Sequence, residues 1–153
     1  MTYWLIKTEP GDYSIDDLAR DKSAIWSGVR NYQARNFLKD MKKGDKLLVY
    51  HSNANPSAIT GLGEVASEAV PDPTQFDKKS IYFDPKATQE NPRWFAPKVK
   101  YVAKFSQAIA LDKLRAEKRL NGMVLLQKGS RLSVQPVTLE QYKVVTELAD
   151  VSK

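Results

Sequence analysis

The sequence predicts an α+β fold, a small mixed β-barrel of five or six strands, partly closed, with four or so short helices packed on its outside. Three observations lead there. Short apolar and β-branched runs recur along the 153 residues. The helical patterns between them are brief, and they do not alternate with the strands in the regular way that a doubly wound parallel sheet requires. No internal repeat, low-complexity tract or linker divides the chain, so a single domain spanning residues 1–153 is expected.

The elements follow in order. Tyr3 to Thr8 reads as a strand with Trp4 and Ile6 on one face and Tyr3, Leu5 and Lys7 on the other. Glu9-Pro10-Gly11 breaks it. Ser14, followed three residues on by Asp17, is a capping pattern that starts a short helix through Arg20. Lys22 to Ile25 leads into a turn at Trp26-Ser27-Gly28. Asn31 suits the N-cap of a second helix, whose apolar face combines Tyr32, Phe37, Leu38 and Met41. Lys42 and Lys43 complement the negative end of that helix, and Gly44 is the expected stop. Lys46 to Tyr50 reads as a buried strand ending at His51 and Ser52, and Ser52-Asn53-Ala54-Asn55-Pro56 is a turn.

Ala58 to Val70 is a further strand with Leu62, Val65 and Ala69 toward the core, and Gly61 and Gly63 suggest a bulge or the close approach of another backbone. Thr74 to Asp77 is expected to form one helical turn and Ser80 to Asp84 a short aromatic strand. Pro85 to Pro92 is a loop. Arg93 to Phe105 alternates Val99, Tyr101 and Ala103 against Lys98, Lys100, Val102 and Lys104, an antiparallel strand with a basic outer face and Pro97 at an edge or bend. Ala110 to Arg119 is a modest helix, while Met123 to Leu126 is ambiguous between helix and strand. Leu132 to Val137 is the last strand. Thr138 with Gln141 forms a capping box for a final helix striped by Leu139, Tyr142, Val145 and Leu148.

Composition narrows the function. With 42% hydrophobic and 27% charged residues the chain reads as a soluble globular protein, and no apolar run approaches the ~18 residues of a membrane helix. The N-terminus lacks the basic region and cleavage site of a signal peptide, so a cytoplasmic protein with no membrane partner is expected. The absence of cysteine excludes disulfides, thiolate catalysis and sulfur-ligated metals. Residues 86–131 hold 11 lysines and arginines against 3 acids, a net +8, while the remainder is −2. That asymmetry fits either an oriented polyanion site or simply solvated lysine faces.

Catalytic chemistry is thinly represented. His51 is the only histidine, and neither a zinc set nor a serine-hydrolase motif surrounds it. Asp16-Asp17 suits a helix's first turn, and Glu64 with Glu68 suits cross-strand lysines. No catalytic residue, cofactor or metal is therefore expected. The aromatics say more. Trp26 before Ser27-Gly28, Tyr50 before His51-Ser52, Tyr82 before Asp84 and Trp94 after Arg93 all stand beside polar turn residues. Trp26, an indole beside backbone amides and an asparagine, offers the stacking face and edge hydrogen bonds that hold an unstacked base.

Several motifs are shared with a known family. Tyr3-Trp4-Leu5-Ile6-Lys7-Thr8-Glu9-Pro10, Trp26-Ser27-Gly28-Val29-Arg30-Asn31-Tyr32-Gln33-Ala34-Arg35-Asn36 and Tyr50-His51-Ser52 resemble the EVE domain family. So do residues 71–77 (PDPTQFD) and 129–137 (GSRLSVQPV), in the same order and across essentially the whole chain. The resemblance implies a PUA-like fold, related to the YTH readers of methylated RNA, and a non-catalytic pocket for a modified base in DNA or RNA. Methylated or hydroxymethylated cytosine and methylated adenine are the ligands it brings, without a choice between them. Carried over residue by residue, it puts Trp26, Ser27, Gly28, Val29, Asn31, Tyr50, His51, Ser52 and Gln135 at the base, Trp26 stacking and Asn31 with the Gly28–Val29 backbone reading its edge. Lys7, Arg30 and Arg131 would meet phosphate. The basic strand adds Lys98, Lys100 and Lys104 to the phosphate set. Two other readings remain: a small nucleic-acid-processing enzyme using His51 with Asp84, and a domain binding a free nucleotide-like metabolite.

Overall fold

Capping chemistry starts three of the four α-helices where the sequence places them. A computed structural model describes residues 1–150. Helix α1 (Ile15–Asp21) begins at Ser14, whose hydroxyl accepts from the Asp17 amide while the Asp17 carboxylate accepts from the Ser14 amide. Helix α4 (Leu139–Leu148) repeats the arrangement with Thr138 and Gln141. Helix α2 (Tyr32–Asp40) starts with the Asn31 side-chain oxygen accepting from the Ala34 amide at 2.9 Å. It stops at Met41, earlier than the glycine signal suggests. The reason is Asp45, whose carboxylate accepts from the Lys42 amide at 2.9 Å and from the Trp4 indole at 3.0 Å, drawing the chain into a turn before Gly44 is reached. Helix α3 (Leu111–Ala116) is shorter than expected, and Lys118–Leu120 continues as a 3₁₀ turn.

Six strands form one mixed sheet: β1 (Tyr3–Thr8), β2 (Ser23–Ile25), β3 (Lys46–His51), β4 (Ala58–Pro71), β5 (Phe95–Ala110) and β6 (Val134–Val137). Their order is β2-β5-β4-β3-β1-β6, with β1 and β3 parallel and the other pairs antiparallel. β2 and β6 stand at the two ends of that order. The fold is the expected α+β arrangement. β4 and β5 are the long elements, and their pairing slips register several times. Gly61 permits their approach: a Cβ there would lie 2.4 Å from the Ala103 carbonyl oxygen and 2.9 Å from Ile15. Only a hydrogen fits.

Strand alternation gives the sheet two apolar faces. One gathers Leu5, Leu48, Ile59, Leu62 and Phe105 under α3, α4 and the 3₁₀ turns. The other gathers Trp4, Ile6, Leu47, Val49, Val65 and Val99 under α1 and α2, through Ile15, Leu18, Ala34 and Leu38.

Several local expectations are corrected. Residues 80–84 are tight turns, not a strand, because the Asp77 and Ser80 oxygens take up their amides locally. Residues 124–126 resolve as a 3₁₀ turn, and Lys22 to Ile25 contains the edge strand β2. Tyr32 and Leu139 are half-exposed, and Ala69 is only partly covered. Tyr32, at the start of α2, stacks on the Trp94 ring at 5.0 Å outside the second core, while Leu139 opens α4 and Ala69 lies toward the end of β4.

Candidate nucleic-acid interface

Between β2 and α2 the chain runs irregularly, and three anchors hold it. The Trp26 amide donates to the Pro97 carbonyl at 2.9 Å, continuing the β2–β5 pairing. The Trp26 side chain is 8% exposed and packs in the second core, with the Tyr13 ring edge-on at 6.1 Å. Gly28 turns the chain at φ +85°, a conformation that side-chain-bearing residues seldom adopt, and its amide donates to Asp72 Oδ2 at 2.8 Å. The Tyr82 ring closes over Gly28 so tightly that an added Cβ would sit 2.8 Å from it.

Asp72 organises this region. It is fully buried and accepts from the Gly28 amide, from Arg30 Nη1 at 3.1 Å, and from the Thr74 amide and hydroxyl. Burial pushes its carboxyl up, but the Thr74 hydroxyl, the two amides and the Arg30 guanidinium outweigh that and hold it below the usual carboxylate range. Arg30 in turn donates to Asp72, to Thr74 Oγ1, to the Val29 carbonyl and twice to the Tyr82 carbonyl. Its five N–H groups are all engaged. The guanidinium also lies 5.5 Å from the Tyr82 ring centroid and 5.2 Å from that of Trp94.

These pieces form one side of an open cleft of about 1020 Å³. The end of β1, Tyr13, Ser52 with Asn53, and Ser130 with Arg131 form the rest. Lys7 lies against the Tyr50 ring at 5.8 Å, and partial burial lowers its pKa. Arg131 is exposed. Neither cation makes an ion pair among the described residues, whereas Glu9, an acid of the same cleft, accepts from the Asn53 amide group. The cleft therefore combines an indole, two tyrosines, hydroxyl groups and uncommitted cations.

A family model for the EVE domain matches residues 2–148. The chain belongs to the EVE domain family. Human thymocyte nuclear protein 1 is 37% identical over 97% of this chain and 74% of that protein. A crystal structure of the human protein in complex with 5-methylcytosine-containing DNA superposes with TM-score 0.92 at 36% identity, covering 100% of both chains. A Pseudomonas syringae protein of known structure is 46% identical, with TM-score 0.93 over 96% of this chain and 99% of that one.

In this EVE domain, Trp26, Ser27, Gly28, Val29, Ser52, Lys7, Arg30 and Arg131 all line the cleft. Four of the nine residues assigned to the base stand elsewhere. Asn31 spends its side-chain oxygen on the α2 cap. Tyr50 is buried in the first core, on the sheet face opposite Val49. His51 Nε2 accepts from the Ile15 amide at 3.0 Å, so it serves the first turn of α1. Gln135 is fully buried; its amide donates to the Leu132 carbonyl, and its Oε1 has no hydrogen-bond partner.

Two lysines of the basic strand are engaged away from the cleft, Lys100 with Glu64 at 3.2 Å and Lys104 with Asp16 at 2.9 Å. Lys98 does not line the cleft itself but is the register partner of Ile25, which does. Asp84 and His51 are not together: Asp84 accepts from the Trp94 indole at 2.7 Å and pairs with Arg93 at 3.2 Å. Sequence reasoning missed Tyr13 and Asp72, and marked Tyr82 only as an aromatic beside a polar turn. The only signal for Asp72 was its place in Pro71-Asp72-Pro73-Thr74, where an aspartate accepting from the amide two residues on is ordinary turn chemistry. No helix of the described residues is long and apolar enough to cross a membrane, and none of their His, Asp and Glu side chains group as a metal site.

Proposed function

We propose that this EVE domain binds DNA bearing a modified cytosine, receives the base in the cleft and performs no chemistry on it. The observation that carries this reading is the cleft itself, which sets the Trp26 indole, Tyr13, Tyr82 and hydroxyl groups beside Lys7 and Arg131. The human relative crystallised with 5-methylcytosine DNA supports the choice of ligand. The use of His51 as an acceptor for Ile15, outside the cleft, supports a non-catalytic role. Expected cofactors are none, and the expected compartment is the cytoplasm.

Magnitudes decide what the pocket must do. A base against an aromatic wall contributes roughly 1–3 kcal/mol. One buried methyl adds about 0.8 kcal/mol, only about fourfold in affinity. Selectivity beyond that requires the walls, chiefly Gly28 under Tyr82, to reject other shapes.

The test is a tryptophan-fluorescence titration with single-stranded and duplex DNA and RNA. Each is offered unmodified, with 5-methyl- or 5-hydroxymethylcytosine, and with N6-methyladenine. Tighter binding of a modified-cytosine DNA, weakened in Trp26→Phe with the fold retained, is the expected result. Affinity indifferent to modification, or undiminished for free nucleotides at high salt, overturns the reading. Trp26→Ala is a poor probe, since emptying a buried tryptophan site costs about 3–5 kcal/mol of stability.

A further inference from the structure

Ile81 is 89% exposed, the most exposed large apolar side chain among the described residues. Its loop is not loose. The Asp77 side chain and carbonyl accept from the Lys79 and Ser80 amides, and the Ser80 hydroxyl accepts from the Tyr82 amide at 3.0 Å. The Ser80 carbonyl accepts from Phe83, the Gln75 carbonyl accepts from Asp84, and Arg30 donates twice to the Tyr82 carbonyl. Ile81 is thus presented between two bonded neighbours, and the next residue, Tyr82, forms the cleft wall. Its Cα can lie no more than about 3.8 Å from that of a wall residue, so it stands on the rim. Lys78 and Lys79 precede it, both exposed and without a carboxylate partner among the described residues.

We propose that Ile81 is a wedge that enters duplex DNA in the space vacated by the base held in the cleft, with Lys78 and Lys79 meeting the phosphates beside that gap. The inference rests on the base-binding reading above. Extruding a base leaves two apolar base faces without a partner, and an apolar side chain inserted between them opposes re-stacking. A loop already held by hydrogen bonds loses little further freedom when it inserts. The lysines supply positive charge where the backbone is drawn close, and the carboxylate of Asp77 is turned back onto the Lys79 amide. Ile25, half-exposed on the edge strand, lines the same cleft and extends the apolar rim.

The wedge matters only where a stack must be opened. Ile81→Ala is therefore compared with wild type on a single strand, a matched duplex and a duplex with a mismatch at the modified cytosine. The expected loss is about tenfold on the matched duplex, smaller on the mismatched one and under about twofold on the single strand, with Ile81→Leu restoring duplex affinity. In the matched duplex, 2-aminopurine next to the modified base should brighten with wild type and brighten less with Ile81→Ala. Equal losses on all three substrates, or none on the duplex, overturn the wedge while leaving base binding in place. Wild-type binding to single strands but not to duplex does the same. Wild-type binding to neither overturns both.

Discussion

The Gly28 amide and the Asp72 carboxylate meet at 2.8 Å across 44 residues of chain. That bond fixes the cleft wall to the far end of β4. Because the same oxygen accepts from Arg30, and Arg30 holds the Tyr82 carbonyl, one buried acid positions three parts of the cleft. Asp72→Ala leaves the largely covered Arg30 charge without its partner and is expected to cost about 3–5 kcal/mol in urea denaturation. Its folded pKa is depressed, so its contribution is present above the unfolded value of about 3.9 and lost as pH falls through the lower folded value. Asp72→Asn should lack that part of the acid limb and should bind the modified duplex more weakly than wild type.

Gly28→Ala is a sharper probe of the wall. The φ of +85° costs a side-chain-bearing residue about 1–2 kcal/mol, and the new Cβ would require the Tyr82 ring to move. Gly122→Ala shares the positive φ but meets nothing within 4 Å, so it is the control for backbone strain alone. Both variants should melt earlier, but only Gly28→Ala should lose discrimination between 5-methylcytosine and cytosine. Equal discrimination in the two would remove the Gly28–Tyr82 closure from the selectivity argument.

What was legible in the sequence was local. The Ser14–Asp17 and Thr138–Gln141 caps and the Asn31 cap act within three residues, and the alternation of Trp4, Leu5 and Ile6 assigns faces without tertiary information. The same alternation argues against grouping Tyr50 with His51, since consecutive strand residues face opposite sides. Motif proximity overrode that rule and placed both in the pocket. Arg30 could not be read correctly, because its partners Asp72, Thr74 and Tyr82 are 42 to 52 residues away. Tyr82 as a wall depends on the missing side chain of Gly28, a relation with no local pattern.

His51 makes a prediction about pH. Burial is the main cause of its lowered pKa; Asp16 opposes the shift and Lys104 assists it. The neutral ring accepts from the Ile15 amide, a bond the protonated ring cannot accept at Nε2. The depressed folded value makes this contribution present above the unfolded pKa of about 6.5 and lost as pH falls through the folded value. Urea midpoints measured from pH 7.5 down to 4.5 should therefore decline in wild type, and less steeply in His51→Gln. If the two profiles run parallel, the Ile15 bond does not depend on His51 ionisation.

Salt dependence separates cations that are committed from those that are not. Arg30 has every N–H engaged, Lys100 is paired with Glu64, and Lys104 with Asp16. Arg131 lines the cleft without an ion pair among the described residues. Each phosphate contact removed lowers the slope of log K against log salt by about 1. Arg131→Ala should therefore reduce that slope by about 1 and weaken modified and unmodified strands alike, because a phosphate contact carries no base information. Lys100→Ala and Lys104→Ala should leave the slope nearly unchanged, since neither lysine lines the cleft. A slope that falls with Lys100 or Lys104 and not with Arg131 would move the phosphate path from the cleft rim onto the outer face of β5.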